Sequence, residues 1–148
     1  MPLVDALPSP FKIVQTPKLT VMLFESDTIF RQIFTDGRKH PEDPQPSWLG
    51  YSVGKWNGDS LVVETVGVLP FAPLDMLGHE HSDAMRVTEQ FRRRDFGHMD
   101  VLVTIDDPKI YTKPFTYKIP MYLRADTDLL ESFCTEDEKD AAHMLPKK

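Results

Sequence analysis

A single cysteine, Cys134, stands among the 148 residues. That excludes an internal disulfide and any zinc site of the Cys-x-x-Cys kind. It lies in Leu129-Leu130-Glu131-Ser132-Phe133-Cys134, which reads as a strand, so the thiol is expected to be buried and inert. Long apolar runs are missing too. None approaches the roughly 20 residues of a membrane span, and no membrane partner is expected. The opening Met1-Pro2-Leu3-Val4-Asp5 has neither the basic stretch nor the apolar core of a signal peptide, which reads as a mature, trimmed or cytoplasmic form. Positive charge is scarce. Lys and Arg number 17 against 23 Asp and Glu, a net charge of -6, and that field repels polyanions, so no nucleic-acid partner is expected. In the one basic run, Arg92-Arg93-Arg94, successive strand side chains leave on opposite faces, which suits a charged strand end that keeps a sheet soluble. There is no P-loop, GxGxxG, GxSxG or kinase signature, so neither a nucleotide nor a flavin cofactor is expected.

What is present is β-structure. Thirteen prolines punctuate the chain, and no stretch keeps a long helical apolar period. Short β-rich runs recur instead: 11–16, 19–26, 28–35, 51–56, 60–68, 84–95, 98–107, 115–124 and 129–134. Asn57-Gly58 between the fourth and fifth predicts a type I′ hairpin turn. Met99, Val101, Val103 and Ile105 alternate with polar neighbours, as do Phe115, Tyr117, Ile119, Met121 and Leu123, which gives each strand one dry and one wet face. Trp56, just before the hairpin turn, is expected in the core. The reading is an all-β single domain over 1–148, with an N-terminal arm at 1–10 and a charged tail at 135–148. Its strands form an antiparallel up-and-down meander closing into a small lipocalin-like β-barrel or a half-open cup. A two-sheet sandwich is the competing architecture.

Loop parity then suggests where a site lies. In a meander each connection changes ends, so the long loops 36–50, 69–83 and 106–114 share one rim, while the tight turns 57–58, 96–97 and 125–128 share the other. Long loops on a rigid scaffold are where binding and catalysis concentrate. His40, His79, His81 and, if the count holds, His143 fall on the elaborate rim, and His98 on the trimmed one. In extended chain, residues i and i+2 point the same way, so His79 and His81 can face one ion, and His40 can complete a three-nitrogen set for one divalent transition metal (Zn, Cu or Fe). Metal-free acid–base catalysis and plain solvated loop histidines are the alternatives.

Carboxylates offer a second centre. Glu89 is in phase with Met85, Val87 and Phe91. Facing inward, it is an acid in an apolar lumen whose desolvation favours general acid/base work. Arg31, in phase with Ile29 and Ile33, is placed to pair with it or with Glu64, and a satisfied internal pair that holds the barrel is the structural alternative. Asp75, Asp106, Asp107 and Tyr111 are rim residues suited to a polar substrate, although Asp106-Asp107-Pro108 also reads as a turn starter. Arg31, Trp48 and Tyr117 complete the candidate ligand contacts.

Several of these blocks are similar to those of a large uncharacterised family of environmental bacterial proteins. They are Trp56-Asn57-Gly58-Asp59-Ser60-Leu61-Val62-Val63, Asp36-Gly37-Arg38-Lys39-His40, Gly78-His79-Glu80-His81-Ser82, Arg86-Val87-Thr88-Glu89 and Thr104-Ile105-Asp106-Asp107-Pro108. The resemblance implies an exported or periplasmic setting and assigns no reaction. The hairpin also resembles those of lipocalin-like and fatty-acid-binding barrels, a likeness of fold alone. Two functions fit. The first is a small-molecule enzyme with hydrolase or lyase chemistry at the histidine rim, with Asp75, His79, His81 and Glu89 as its catalytic groups. The second is a carrier of an apolar or aromatic ligand in the lumen. Association with further copies of the chain is left open.

Overall fold

The computed structural model describes residues 9–71, 73–75 and 77–130. Eight strands follow one another: β1 (Phe11–Gln15), β2 (Leu19–Phe24), β3 (Phe30–Phe34), β4 (Tyr51–Asn57), β5 (Ser60–Val66), β6 (Arg86–Arg93), β7 (His98–Asp106) and β8 (Phe115–Tyr122). They form one sheet in sequence order, curled into a half-barrel. A two-sheet sandwich is therefore excluded, and the half-open cup is the form adopted. Of the ninth expected strand, Leu129 and Leu130 are not in a strand and the rest, with Cys134, His143 and the tail, lies outside the described residues.

The period-two pattern decides which side is dry. Met22, Ile33, Val63, Val87, Val101, Val103 and Ile105 all turn inward and are at most 2% exposed. Each such side chain contributes about 1.5–3 kcal/mol relative to an exposed one. Met99, Tyr117, Ile119 and Met121 pack half-buried against this set. The inside of the cup is thus filled by side chains, and the two surface concavities described below are not lined by these residues.

One connection departs from the meander. β3 and β4 run parallel, pairing Ile33 with Ser52 and Phe34 with Val53, whereas the other neighbours are antiparallel. Parallel neighbours require a long crossover, and the proline-rich segment 35–50 supplies it. It leaves β3 at the end of the sheet that holds the hairpin turns and returns across the outside to the opposite end. There Ser47 bridges Val68, donating its N–H to the Gly67 carbonyl at 3.0 Å and accepting from the Leu69 N–H at 3.0 Å. The shared-rim expectation for 36–50 fails for this reason: the loop lies along the outer face.

Two local expectations also change. The β4–β5 loop is Gly58-Asp59, because Asn57 still pairs with Ser60; only Gly58 has positive φ (+60°), as at the first central position of a type II′ turn rather than I′. Trp56 has inward parity but sits at the strand end beyond the packed core, and is 48% exposed. Among the described residues β1 and β8 pair on one side only, leaving two sheet edges. Pro120 interrupts the β8 edge and Lys12 marks β1, devices that discourage further strand addition.

Candidate functional site

The rim formed by the ends of β5 and β7 carries the densest polar architecture outside the core. Loop 67–85 is anchored beneath the cup by buried Val68, Leu74 and Met85. Between those anchors the chain closes on itself. The Leu74 N–H donates to the His79 carbonyl at 2.7 Å, and Asp75 Oδ1 accepts from the Leu77 N–H at 2.9 Å and the His79 N–H at 3.3 Å. The same carboxylate, through Oδ2, meets His79 Nδ1 at 2.6 Å. That hydrogen bond, joined by the backbone donors, holds the Asp75 carboxyl below the usual carboxylate range. A carboxylate at Nδ1 fixes the proton there and leaves Nε2 as the ring's acceptor. The His79 side chain is 58% exposed.

The next residues turn the other way. His81 is buried and its Nδ1 lies 3.2 Å from the Ser82 carbonyl, so this ring donates to backbone. The Glu80 carbonyl accepts from the Tyr111 hydroxyl at 2.8 Å. Burial raises the Tyr111 hydroxyl's pKa, helped by the negative charges of Asp107, Asp75 and Glu80, which keeps it a donor. Asp107 is the organising carboxylate of the rim: it accepts from the Ser82 N–H at 2.6 Å, the Ser82 hydroxyl at 2.7 Å and the Lys109 N–H at 3.1 Å. Burial pushes this carboxyl up, and the donors outweigh it, so its pKa is lowered. Lys109 Nζ closes the arrangement on Asp83 at 2.6 Å. A concavity of about 440 Å³ opens here, bounded by Pro70, Phe71, Pro73, Gly78, Glu80 and His81. Phe71, on its lining, stands in water at 78% exposure.

The other predicted residues are distributed more widely. His40 lies on the outer face, with Nε2 donating to the Glu64 carbonyl at 3.0 Å. The structure therefore does not gather His40, His79 and His81. Among the described residues no three His, Cys, Asp or Glu side chains are placed to hold a metal ion, and the two loop histidines have different partners because Asp75 draws one ring outward. Glu89 is fully buried in mid-β6, and its carboxylate grips the Arg31 guanidinium at both oxygens, Nη1 to Oε1 at 2.9 Å. The internal pair is thus what forms, away from the rim histidines. Ser52 and Thr65, polar residues at inward positions, complete it, accepting from Arg31 Nε at 3.2 Å and Nη2 at 2.9 Å. Glu64 faces outward beside Arg86. Trp48 is exposed, Tyr117 packs against the core, and Asp106 is exposed at the end of β7, so Asp107 rather than Asp106 builds the rim. His98 sits at the opposite end, bonded to Asp95 at 2.7 Å.

The chain matches no protein-family model, no curated protein and no solved structure.

Proposed function

We propose that this protein is a small-molecule enzyme whose general base is His79, held by Asp75 at the rim of the half-barrel, acting in hydrolase or lyase chemistry. The observation that carries this reading is the 2.6 Å Asp75–His79 hydrogen bond beside a concavity edged by water-exposed apolar side chains. A carboxylate on Nδ1 sets the tautomer and stabilises the imidazolium that forms when Nε2 takes a proton from water or from an acidic carbon. Pro70, Phe71 and Pro73 give the apolar part of a substrate a seat, as exposed apolar clusters near convergent polar groups commonly do. Asp107, Ser82 and Tyr111 hold the loop that presents the dyad; they are positioning residues.

The test is a screen of the full chain against chromogenic esters and amides and against small hydroxy acids that eliminate water. Any turnover found is re-measured in His79→Ala and Asp75→Asn, with circular dichroism as the folding control. Loss of turnover in both folded variants supports the assignment. Turnover that survives both substitutions overturns it.

A further inference from the structure

The outer face of β4 and β5 carries a feature that the rim chemistry does not use. An open groove of about 810 Å³ lies between the crossover segment and the two strands. Its floor includes Val53 and Val62, half-buried apolar residues on the outward side of central strands. Its walls bring together Arg38, Lys39, His40, Lys55 and Arg86 around one outward-facing acid, Glu64. In a chain of net charge -6 this is a local reversal of sign.

One wall is built rather than draped. Arg38 is forked onto Asp36, with Nε at 2.9 and 3.0 Å and Nη2 at 2.6 Å from the carboxylate oxygens. It also donates to the Tyr51 hydroxyl at 3.3 Å and lies 3.9 Å above the Phe34 ring. His40 is pinned to the Glu64 carbonyl. These contacts fix the crossover against the sheet, so the groove exists before any ligand arrives. The cations left to act are Lys39 and Lys55, which have no ion-pair partner among the described residues, and Arg86, whose nearest approach to Glu64 is a loose 3.6 Å. Two ammonium groups and a guanidinium over an apolar floor suit one kind of molecule: an anionic head on an apolar body.

We propose that this groove binds a small organic anion, a carboxylate or phosphate carried on an apolar body, at a site separate from the rim. The apolar portion lies over Val53 and Val62, and the anionic group is held by Lys39, Lys55 and Arg86. The proposal does not depend on the reaction assigned to His79.

The experiment is an amide chemical-shift titration of the full chain with 4-phenylbutyrate and with phenyl phosphate. The neutral 4-phenylbutanol and inorganic phosphate serve as comparisons. Saturable shifts at Val53, Lys55 and Val62 with either organic anion support the site. Lys39→Gln/Lys55→Gln should then weaken binding about tenfold, while Lys118→Gln, which removes a lysine on β8, and His79→Ala leave it unchanged. Organic carboxylate and phosphate are distinguished by which binds more tightly. The proposal is overturned if neither anion shifts the groove, if 4-phenylbutanol or inorganic phosphate binds as well, or if the double variant binds like the unmodified chain.

Discussion

Arg31 of β3 and Glu89 of β6 face each other across the inside of the cup, with both side chains excluded from water and both carboxylate oxygens on the guanidinium. β4 and β5 lie between their strands, and Ser52 and Thr65 from those strands complete the network, with their own hydroxyls 2.9 Å apart. Four consecutive strands are thus tied by one polar cluster in an otherwise apolar interior. Taking one partner away leaves a buried charge without compensation, which costs about 3–5 kcal/mol, whereas apolar replacement of both is often nearly neutral. Glu89→Gln should lower the unfolding free energy read from urea denaturation by that amount, with a matching fall in the midpoint, and Arg31→Met/Glu89→Leu should recover most of it. A midpoint unmoved by Glu89→Gln would mean that the pair does not bear on stability.

This pair was legible in the sequence because strand periodicity is strict. Arg31 shares the phase of Ile33, and Glu89 that of Val87 and Phe91, so both had to point where those residues point. The course of segment 35–50 was not legible. Its length and prolines say that it is a long connection, and they do not say whether it turns back at one rim or crosses the outer face. The position of His40 goes with it, and so does the cationic groove, whose members come from segments that only the parallel β3–β4 pairing brings together. The divergence of His79 and His81 has a similar cause. Same-side projection holds for extended chain, and Asp75 closes this stretch into a tight loop; the Asp-x-x-x-His spacing was the available signal. Trp56 shows the limit of parity, which gives a side chain's direction without saying whether anything covers it.

The His79 assignment has a consequence before any substrate is known. With Asp75 at Nδ1, the neutral ring should carry its proton there, and long-range proton–nitrogen correlation spectra should show that tautomer. Asp75→Asn removes the negative acceptor and should shift the population toward the Nε2-protonated form. On any substrate the enzyme turns over, kcat should then fall roughly 10²–10⁴-fold. A ring already protonated at Nε2 in the unmodified protein would contradict the proposed base.

Acid should loosen the rim as Asp107 takes up its proton. Its folded pKa lies below the ordinary 3.8, so its contribution is complete above that value and is lost as pH falls through the folded one. Stability should therefore decline as pH falls below about 3.8, with Asp107 supplying part of the slope. Asp107→Asn turns an amide toward donors that need an acceptor, costs about 1–3 kcal/mol at neutral pH, and removes that part of the acid slope. Hydrogen exchange at the Ser82 and Lys109 amides, both of which donate to this carboxylate, should accelerate in the variant. Unchanged protection there would show that the rim is held by other contacts.

Gly50 and Gly58 separate two reasons for a glycine, and the crossover depends on the first. Both have positive φ, +65° and +60°. Around Gly58 a Cβ would meet nothing within 4 Å, so Gly58→Ala should cost only the left-handed backbone penalty of about 1–2 kcal/mol. At Gly50 the same atom would lie 2.6 Å from the Val66 carbonyl oxygen, 2.8 Å from Thr65 Cγ2 and 2.9 Å from Val68 Cγ2. A backbone oxygen in a paired strand cannot step aside as a side-chain tip can, so β4 would have to move at the point where the crossover joins it. Gly50→Ala should therefore lose a further 1–3 kcal/mol or so from overpacking. It should also expose the Leu69 amide that is bonded to Ser47. Thermal unfolding of the two variants, with exchange at Leu69, tests the order. If Gly58→Ala is the more damaging, the close approach of β4 to β5 at Gly50 is not what seats the crossover.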